Sequence, residues 1–270
     1  MFHAHFGSDP LDLANIWFDL VNTSIEDGKL KATEKLEKGL TMFLAAIHFL
    51  WTYPKNSKIL STKFRLYEGY CRGKPLWDWI GKIAALKAKK IIWDPHLDGH
   101  DTQIFIVSVD GTNFCMWEKK HPTLPVDKGK MSHKYKHGAV KYEIALSIFK
   151  PKCVWISGPH RGGKHDITIF REGLNNKIKP GKKAIVDRGY ASSQPNEKML
   201  SQPNETDSKR LNNFKSQAWL RQETFNGRLK FFQSLSDTFH HGVKKHKLVL
   251  ESICVMVQYQ MDNGRTVFDV

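Results

Sequence analysis

The chain has 270 residues, of which 40% are hydrophobic, and its 42 Lys and Arg against 27 Asp and Glu give a net charge of +15 at pH 7. This length and composition allow a packed core in one large domain, or in a catalytic domain with a smaller helical one, and exclude a disordered or fibrous chain. The positive charge favours nucleic acid as a partner over an anionic membrane surface or nonspecific adhesion.

The cysteines and the apolar stretches indicate the compartment. The four cysteines stand far apart and form no Cys-x-x-Cys pair, so neither a zinc ribbon nor a disulfide framework is expected. The first ten residues lack the layout of a secretory signal peptide, and the longest apolar stretch, residues 42–51, is too short to span a bilayer. We therefore expect a soluble intracellular protein that does not interact with membranes.

Residues 1–95 are predicted to be helical. Asp9 and Pro10 form an N-cap and first-turn pair before apolar residues at helical spacing. Further helices are predicted over about residues 31–49, 57–67 and 75–90, with the turn-like stretch EGYCRGK before the last one. The last two helices are either a helix-turn-helix that enters a DNA groove or ordinary solvated helices packed on a catalytic domain.

After residue 95 the pattern changes to that of a mixed α/β sheet with a crossover. Residues 104–109 are a near-continuous apolar run, which predicts a buried strand that ends at Asp110. A helix entered through Asp166 is predicted before a strand that ends at Asp187. The other predicted elements are strands at 141–149, 153–157 and 183–186, a polar loop at about 195–213, a helix that carries Glu223 and a closing helix at about 245–261.

Four carboxylates are candidates for a metal site. Asp110 and Asp187 follow predicted strands, Glu223 lies on a helix, and Asp166 begins one, so their oxygens could converge on Mg²⁺ or Mn²⁺ for phosphodiester cleavage. Each residue also has an ordinary interpretation. Asp110 and Asp187 suit turns, Asp166 suits a helix N-cap, and Glu223 suits a solvated helix face. The occurrence of all four after apolar patterns favours the metal site.

The sequence around these acids resembles a known family. The frames VDGT at Asp110, GPHRGGKHDITIF at Asp166, VDRGY at Asp187 and RQETFNGRLK at Glu223 are similar to blocks of the DDE-superfamily endonucleases related to PIF/Harbinger transposases and the Harbinger-derived nuclease. The resemblance covers about residues 40–265. It implies an RNase H-like mixed sheet flanked by helices and preceded by a small helical region that resembles a helix-turn-helix. The implied domains are residues 1–95, residues 96–265 and a tail at 266–270.

The resemblance also implies the roles of individual residues and the partners. Asp110, Asp187 and Glu223 would be catalytic, and all three would hold the divalent metal together with Asp166. Double-stranded DNA would be the substrate, with a Myb-like helper protein, a homo-oligomeric assembly and a nuclear location, in part also cytoplasmic. The residues expected to contact DNA are Lys82, Lys134 in the basic stretch 119–136, Arg228 and Lys230.

Two further functions compete with a metal-dependent nuclease or transposase. One is a domesticated DNA-binding protein that retains the fold and has lost catalysis, and the other is a non-enzymatic RNA-binding protein. DNA binding alone gives no use for four carboxylates that face a polyanion, so the intact acidic set favours the nuclease. Lys230, two helical turns after Glu223, is expected either to touch a substrate phosphate or to be an ordinary surface charge.

Overall fold

A computed structural model describes residues 2–26, 36–93, 104–118, 128–132, 137–187, 190, 199–200 and 207–267. The chain forms two compact units. The helical unit combines Met1–Lys90 with Arg228–Arg265, and the sheet unit combines Ile91–Gly227 with Thr266–Val270. The domain boundaries predicted at residues 95 and 265 stay predictions.

The helices follow the chain in an order that the sequence largely predicts. None of those in the described ranges is both long and apolar enough to cross a membrane. Their bounds are α1 Phe2–Phe6, α2 Pro10–Glu26, α3 Leu36–Thr52, α4 Ser57–Phe64, α5 Glu68–Arg72, α6 Lys74–Ala85, α7 Lys87–Lys90, α8 Asp166–Glu172, α9 Lys209–Lys230, α10 Gln233–Ser236 and α11 Val243–Asp262.

The helical unit departs from prediction in its short elements. α2 begins at Pro10 as expected, and Leu13, Ile16 and Leu20 on one face are buried. The prediction of a turn over EGYCRGK is wrong, because five of its residues form α5, which buries Cys71. A single helical turn is too short to show a period in sequence, so only packing reveals it. The helix predicted over residues 75–90 breaks at Leu86 into α6 and α7.

The sheet unit is built on one mixed sheet with strand order β3-β2-β1-β4-β5. β1 pairs antiparallel with β2 and β2 antiparallel with β3, whereas β4 runs parallel to both β1 and β5. A mixed sheet flanked by helices confirms the predicted α/β class and is consistent with an RNase H-like fold. The strands are β1 Phe105–Cys115, β2 Ala139–Ser147, β3 Cys153–Arg161, β4 Lys183–Val186 and β5 Met199–Leu200.

The two faces of the sheet are covered by different helices. Val107, Val109 and Val186 pack with Phe170 of α8, whereas Ile185 packs with Ala218 of α9. Successive side chains of a strand point to opposite faces, so α8 and α9 lie on opposite sides of the sheet. The sheet is therefore buried on both faces at its centre, which explains the continuous apolar runs in its sequence.

Two element boundaries in the sheet unit correct the sequence prediction. β1 does not end at Asp110 but continues to Cys115, since its antiparallel pairing with β2 extends over the whole second half. α9 begins at Lys209, inside the polar stretch predicted as a loop, and the Ser208 hydroxyl accepts a hydrogen bond from the Leu211 backbone N–H at the start of the helix. Such a cap lets a polar sequence begin a helix. The four cysteines form no disulfide, as predicted.

Candidate active site

Asp110 and Asp187 are neighbours on adjacent parallel strands. The register of β1 and β4 pairs Val109 with Val186; Asp110 is the next residue of β1, and Asp187 directly follows the end of β4. Parallel neighbours in register point to the same face and are separated by about 4.8 Å between strand axes. Both residues are half-buried. Strand pairing alone therefore brings two of the predicted catalytic residues together.

Helix α9 is attached to this face by polar contacts. The Ser108 hydroxyl donates to Gln222 Oε1 at 2.9 Å, and Gln222 Nε2 donates to the Ile144 carbonyl at 3.3 Å. One turn later Asn226 Nδ2 donates to Asp110 Oδ2 at 2.7 Å. These contacts fix the position of the helix along β1, because Ser108 and Asp110 point to the same face of that strand.

Glu223 is positioned by these contacts but does not make one of them. It follows Gln222 directly and precedes Asn226 by three residues, so it lies within one helical turn of the residue that binds Asp110. Its side chain is exposed. The helix thus carries Glu223 to the part of β1 where Asp110 lies, while the Glu223 side chain is exposed to solvent.

Asp166 lies on the opposite face of β1. It is the first residue of α8, and His165 occupies the N-cap position, so the N-cap interpretation of Asp166 is wrong. A Cβ built at Gly111 would be 2.2 Å from Asp166 Oδ1, so the carboxylate lies directly against the Gly111 backbone and a side chain at position 111 would displace it. Lys141 Nζ, almost fully buried, is 2.9 Å from the same oxygen. Asp166 is therefore an ion-paired carboxylate that lies against Gly111, the residue after Asp110.

Glu143 is a further buried acid that the sequence analysis did not select. It pairs directly with Gly111 across β1 and β2 and is completely inaccessible to solvent. Trp155 Nε1 donates to Glu143 Oε1 at 3.2 Å. Burial, and secondarily the charge of Asp166, raise the pKa of Glu143 to about 8. Glu143 is therefore mostly protonated at neutral pH.

A signal for Glu143 was present in the sequence. The strand AVKYEIALS contains two charged residues, Lys141 and Glu143, which are two residues apart and so point to the same face. Charged residues on a buried strand need partners, which makes such a pair a marker of a polar site.

The pKa of the Tyr190 hydroxyl depends on an acidic cluster, which consists of Glu143, Asp166, Asp110 and Asp187. The Tyr190 ring packs edge-on against Phe170, and its hydroxyl is fully buried with no hydrogen-bond partner in the described part of the chain. Burial holds the pKa of the hydroxyl well above its usual range, and nearby carboxylates raise it further. In order of decreasing effect these carboxylates are Glu143, Asp166, Asp110 and Asp187. One tyrosine thus lies within electrostatic reach of four acids.

The donors fit a hard divalent cation. All four predicted ligands offer carboxylate oxygens, which are the ligands preferred by Mg²⁺ and Mn²⁺. Buried oxygens of Tyr190, Glu143 and Asn226 have no hydrogen-bond partner among the described residues. Asn226 is the one of the three that binds Asp110, so a hydrated cation held by Asp110 would satisfy the free amide oxygen of Asn226. In the same ranges no three His, Cys, Asp or Glu side chains stand close enough to hold a metal ion. The ligand set stays a prediction.

The residues predicted to contact DNA lie in different places. Lys82 is exposed on α6, with its ammonium group 4.0 Å from the centre of the Trp79 ring. Arg228 and Lys230 lie in the last turn of α9, and the Arg228 guanidinium donates to the Arg265 carbonyl. Lys134 lies outside the described residues. The DNA contacts of all four residues stay predictions.

Comparison with known proteins identifies a family over the range of the chain that contains these acids. A family model described as DDE superfamily endonuclease matches residues 109–258, which is more than half of the chain. The matched range contains all four predicted metal ligands and begins one residue before Asp110. Comparisons with curated proteins and with solved structures gave no match.

Proposed function

Because the chain belongs to the DDE superfamily endonucleases, we propose that it is a divalent-metal-dependent DNA endonuclease of the PIF/Harbinger transposase type, which hydrolyses phosphodiester bonds. The observation that carries this proposal is the parallel register of β1 and β4, which sets Asp110 beside Asp187. The hydrogen bond from Asn226 to Asp110 adds the helix that bears Glu223. Two strands and one helix thus supply the proposed catalytic carboxylates.

The four acids have different proposed roles. Asp110, Asp187 and Glu223 would hold the metal. Asp166 is the fourth proposed ligand, and its carboxylate would have to leave both Lys141 and the opposite face of β1 to reach the same ion. When bound, two divalent ions would activate the attacking oxygen and stabilise the leaving oxygen. Hydrolysis forms a bond between phosphorus and a water oxygen, breaks the bond to the DNA 3′-oxygen and leaves a 3′-hydroxyl, which would then attack a second phosphodiester in strand joining.

The surrounding residues would prepare the carboxylates for this reaction. Asn226 holds one oxygen of Asp110 and thereby fixes the rotation of that carboxylate. Lys141 offsets the charge of Asp166, and Glu143 is mostly neutral because of burial, so the cluster carries less negative charge than its acids imply. A smaller negative charge lowers the repulsion between the site and a DNA phosphate.

The positive charge of the protein supports DNA as the substrate. A net charge of +15 would attract the duplex through phosphate contacts that do not depend on sequence. Lys82, Lys134, Arg228 and Lys230 are the proposed contacts. Joining of DNA ends would require a homo-oligomer, and we propose a Myb-like helper protein for end binding. The proposed location is the nucleus, with a fraction in the cytoplasm.

Nicking of supercoiled plasmid tests the nuclease. Purified protein with Mg²⁺ or Mn²⁺ is expected to convert supercoiled DNA to the open circle, and Asp110→Asn is expected to abolish the conversion. EDTA should also abolish it. Equal nicking by the parent and Asp110→Asn would indicate a contaminating nuclease and refute the assignment, as would no nicking by the parent with either metal.

A DNA-binding protein without catalysis is the second candidate. The ion pair between Lys141 and Asp166 and the solvent-facing Glu223 favour it, since both leave carboxylates away from a shared metal. Gel-shift titrations over a range of salt concentrations separate the two functions. Salt-sensitive duplex binding by a parent that does not nick DNA would support this second candidate.

A further inference from the structure

The helical unit contains a pocket that the proposed chemistry does not use. Its volume is about 880 Å³, and all of its lining residues belong to Met1–Lys90 or Arg228–Arg265. Pockets of about 300 to 1,000 Å³ are typical of sites for small organic groups. The predicted catalytic acids all belong to the other unit, so this pocket is a separate feature.

The walls of the pocket are aromatic. The His241 ring centre is 5.1 Å from that of Trp77, 5.8 Å from that of Tyr53 and 5.8 Å from that of Phe49. Phe49 and Trp77 are themselves in edge contact at 5.5 Å. His241 is exposed, whereas the other three rings are buried. An exposed ring beside buried ones offers a flat face on which a planar group can stack.

Trp77 also presents an unsatisfied donor. The residue is only 7% exposed, and its Nε1–H is buried without a hydrogen-bond partner in the described part of the chain. A buried polar group without a partner is unfavourable unless an acceptor is supplied from outside the chain. Lys245 lies over the same ring, with its ammonium group 4.4 Å from the ring centre. The Trp77 wall therefore suits a planar ligand with an acceptor on its edge.

The backbone at Tyr53 is strained. Its φ of 41° lies in the left-handed region, which is costly for an aromatic residue. The conformation is maintained by packing of the Tyr53 ring on Phe239 at 5.5 Å and by the hydrogen bond that the His240 backbone N–H donates to the Tyr53 hydroxyl. Such strain concentrates at binding sites, where the surrounding structure enforces it.

The rim of the pocket carries positive charge. Lys55 and Arg72 are exposed and line it, with Asp237 as the one acid among the lining residues. A cationic rim next to stacking surfaces is the combination that binds single-stranded nucleic acid, because phosphates meet the cations while bases stack on the rings. A peptide ligand would not need both a flat ring face and a phosphate site.

We propose that this pocket binds an unpaired nucleotide of a DNA strand. The base stacks on His241 and accepts a hydrogen bond from Trp77 Nε1–H, and its phosphate contacts Lys55 and Arg72. That DNA is the partner follows from the proposed function, whereas the preference for an unpaired base follows from the pocket. A strand opened near a cleavage site would supply such a nucleotide.

Fluorescence anisotropy with labelled oligonucleotides tests this preference. The probes are a 10-nucleotide single strand, its blunt duplex and the same single strand with abasic sites. His241→Ala removes the exposed stacking face, Trp77→Phe removes the donor while retaining a ring, and Lys55→Gln removes a rim charge. Lys58→Gln, at an exposed lysine of the neighbouring helix α4 outside the pocket lining, is the matched control for Lys55→Gln.

The expected result is specific to the single strand with bases. His241→Ala should weaken its binding about tenfold, which is within the range of stacking contributions, and should leave duplex binding unchanged. Trp77→Phe and Lys55→Gln should weaken it more than Lys58→Gln does. Equal loss of single-strand and duplex binding, or parental affinity in His241→Ala and Trp77→Phe, would overturn the proposal. So would equal binding of the abasic strand by the parent.

The binding experiment and the plasmid-nicking experiment can fail separately, so the pocket proposal and the proposed catalysis are tested independently. If the parent fails to nick plasmid but prefers the single strand through His241, the pocket stands and the proposed catalysis fails. If the parent nicks plasmid but the pocket variants bind as the parent does, the catalysis stands and the pocket proposal fails. Circular dichroism spectra of each variant verify that the helices are retained.

Discussion

Asn226 donates a hydrogen bond of 2.7 Å to Oδ2 of Asp110 and so joins helix α9 to strand β1 at the candidate active site. A second link, from Ser108 to Gln222, lies two residues earlier on the strand and four residues earlier on the helix. Two strand residues span about 6.7 Å and four helical residues about 6 Å. Because these lengths are similar, both hydrogen bonds can form when α9 lies along β1. Glu223 lies between these two links.

Removal of the Asn226 amide should impair the reaction more than the fold. Asn226→Ala releases Asp110 Oδ2 from its donor and is expected to lower the rate of plasmid nicking about 10- to 100-fold, the usual effect of losing a residue that orients a metal ligand. The measurement is the initial nicking rate at saturating Mg²⁺. Asn213→Ala, at an exposed position on the same helix, is the control and should retain the parental rate. Parental activity in Asn226→Ala would refute the positioning role.

Gly111 should not tolerate a side chain. A Cβ there would lie 2.2 Å from Asp166 Oδ1, so Gly111→Ala must displace the carboxylate or the strand and should destabilise the protein by about 1 to 3 kcal/mol. Gly81→Ala is the control, because no atom lies within 4 Å of its Cβ position and alanine favours the helix by about 0.5 to 1 kcal/mol. Urea denaturation should move the two midpoints in opposite directions. A shift in the same direction would contradict the close approach.

The ion pair between Lys141 and Asp166 should contribute to folding. Lys141→Met leaves the carboxylate without its cation in a largely buried setting and is expected to cost about 3 kcal/mol in the free energy of unfolding. The double variant Lys141→Met with Asp166→Asn should recover most of this loss, because no charge is then left without a partner. Urea denaturation in EDTA measures both values.

Lys164 supplies the comparison for that experiment. It pairs with Glu172, whose side chain is 58% exposed, and such solvated pairs contribute little to stability. Lys164→Met is therefore expected to change the free energy of unfolding by less than about 1 kcal/mol. If Lys141→Met proves no more costly than Lys164→Met, the buried ion pair has no special role in folding.

Glu143 should make stability fall as pH rises. Its pKa is about 8 in the folded protein against an ordinary value of 4.5, so between these values the unfolded state binds fewer protons than the folded state. The free energy of unfolding must then decrease with pH across this window, and the contribution of Glu143 is fully retained only below about pH 4.5. Glu143→Gln removes this dependence. Its stability relative to the parent should increase from pH 5 to 8.

Urea denaturation at a series of pH values, with EDTA present, measures this difference. Glu172→Gln is the matched control at an exposed carboxylate and should follow the parent across the series. A constant difference between Glu143→Gln and the parent from pH 5 to 8 would show that Glu143 is ionised in the folded protein.

The sequence predicted the long elements well and the short ones poorly. α2 and α11 have enough turns for an apolar period to be visible, and β4 was predicted with its observed bounds. α5 has only five residues, which is too short for any period, so its helix depends on neighbouring structure. The boundary of β1 was misplaced because Asp110-Gly111 suits a turn by local preference, whereas pairing with β2 keeps it extended.

The acidic frames by themselves determined which chemistry to expect, since carboxylates after apolar runs in a basic chain favour a metal-dependent reaction on nucleic acid. The arrangement of these acids in space depends on strand pairing and on helix packing. The β1–β4 register places Asp110 beside Asp187, and the approach of α8 to Gly111 pairs Asp166 with Lys141. Glu143 becomes part of the cluster through strand pairing with Gly111. Local preference sets the type of each element, but contacts between residues distant in sequence depend on pairing and packing.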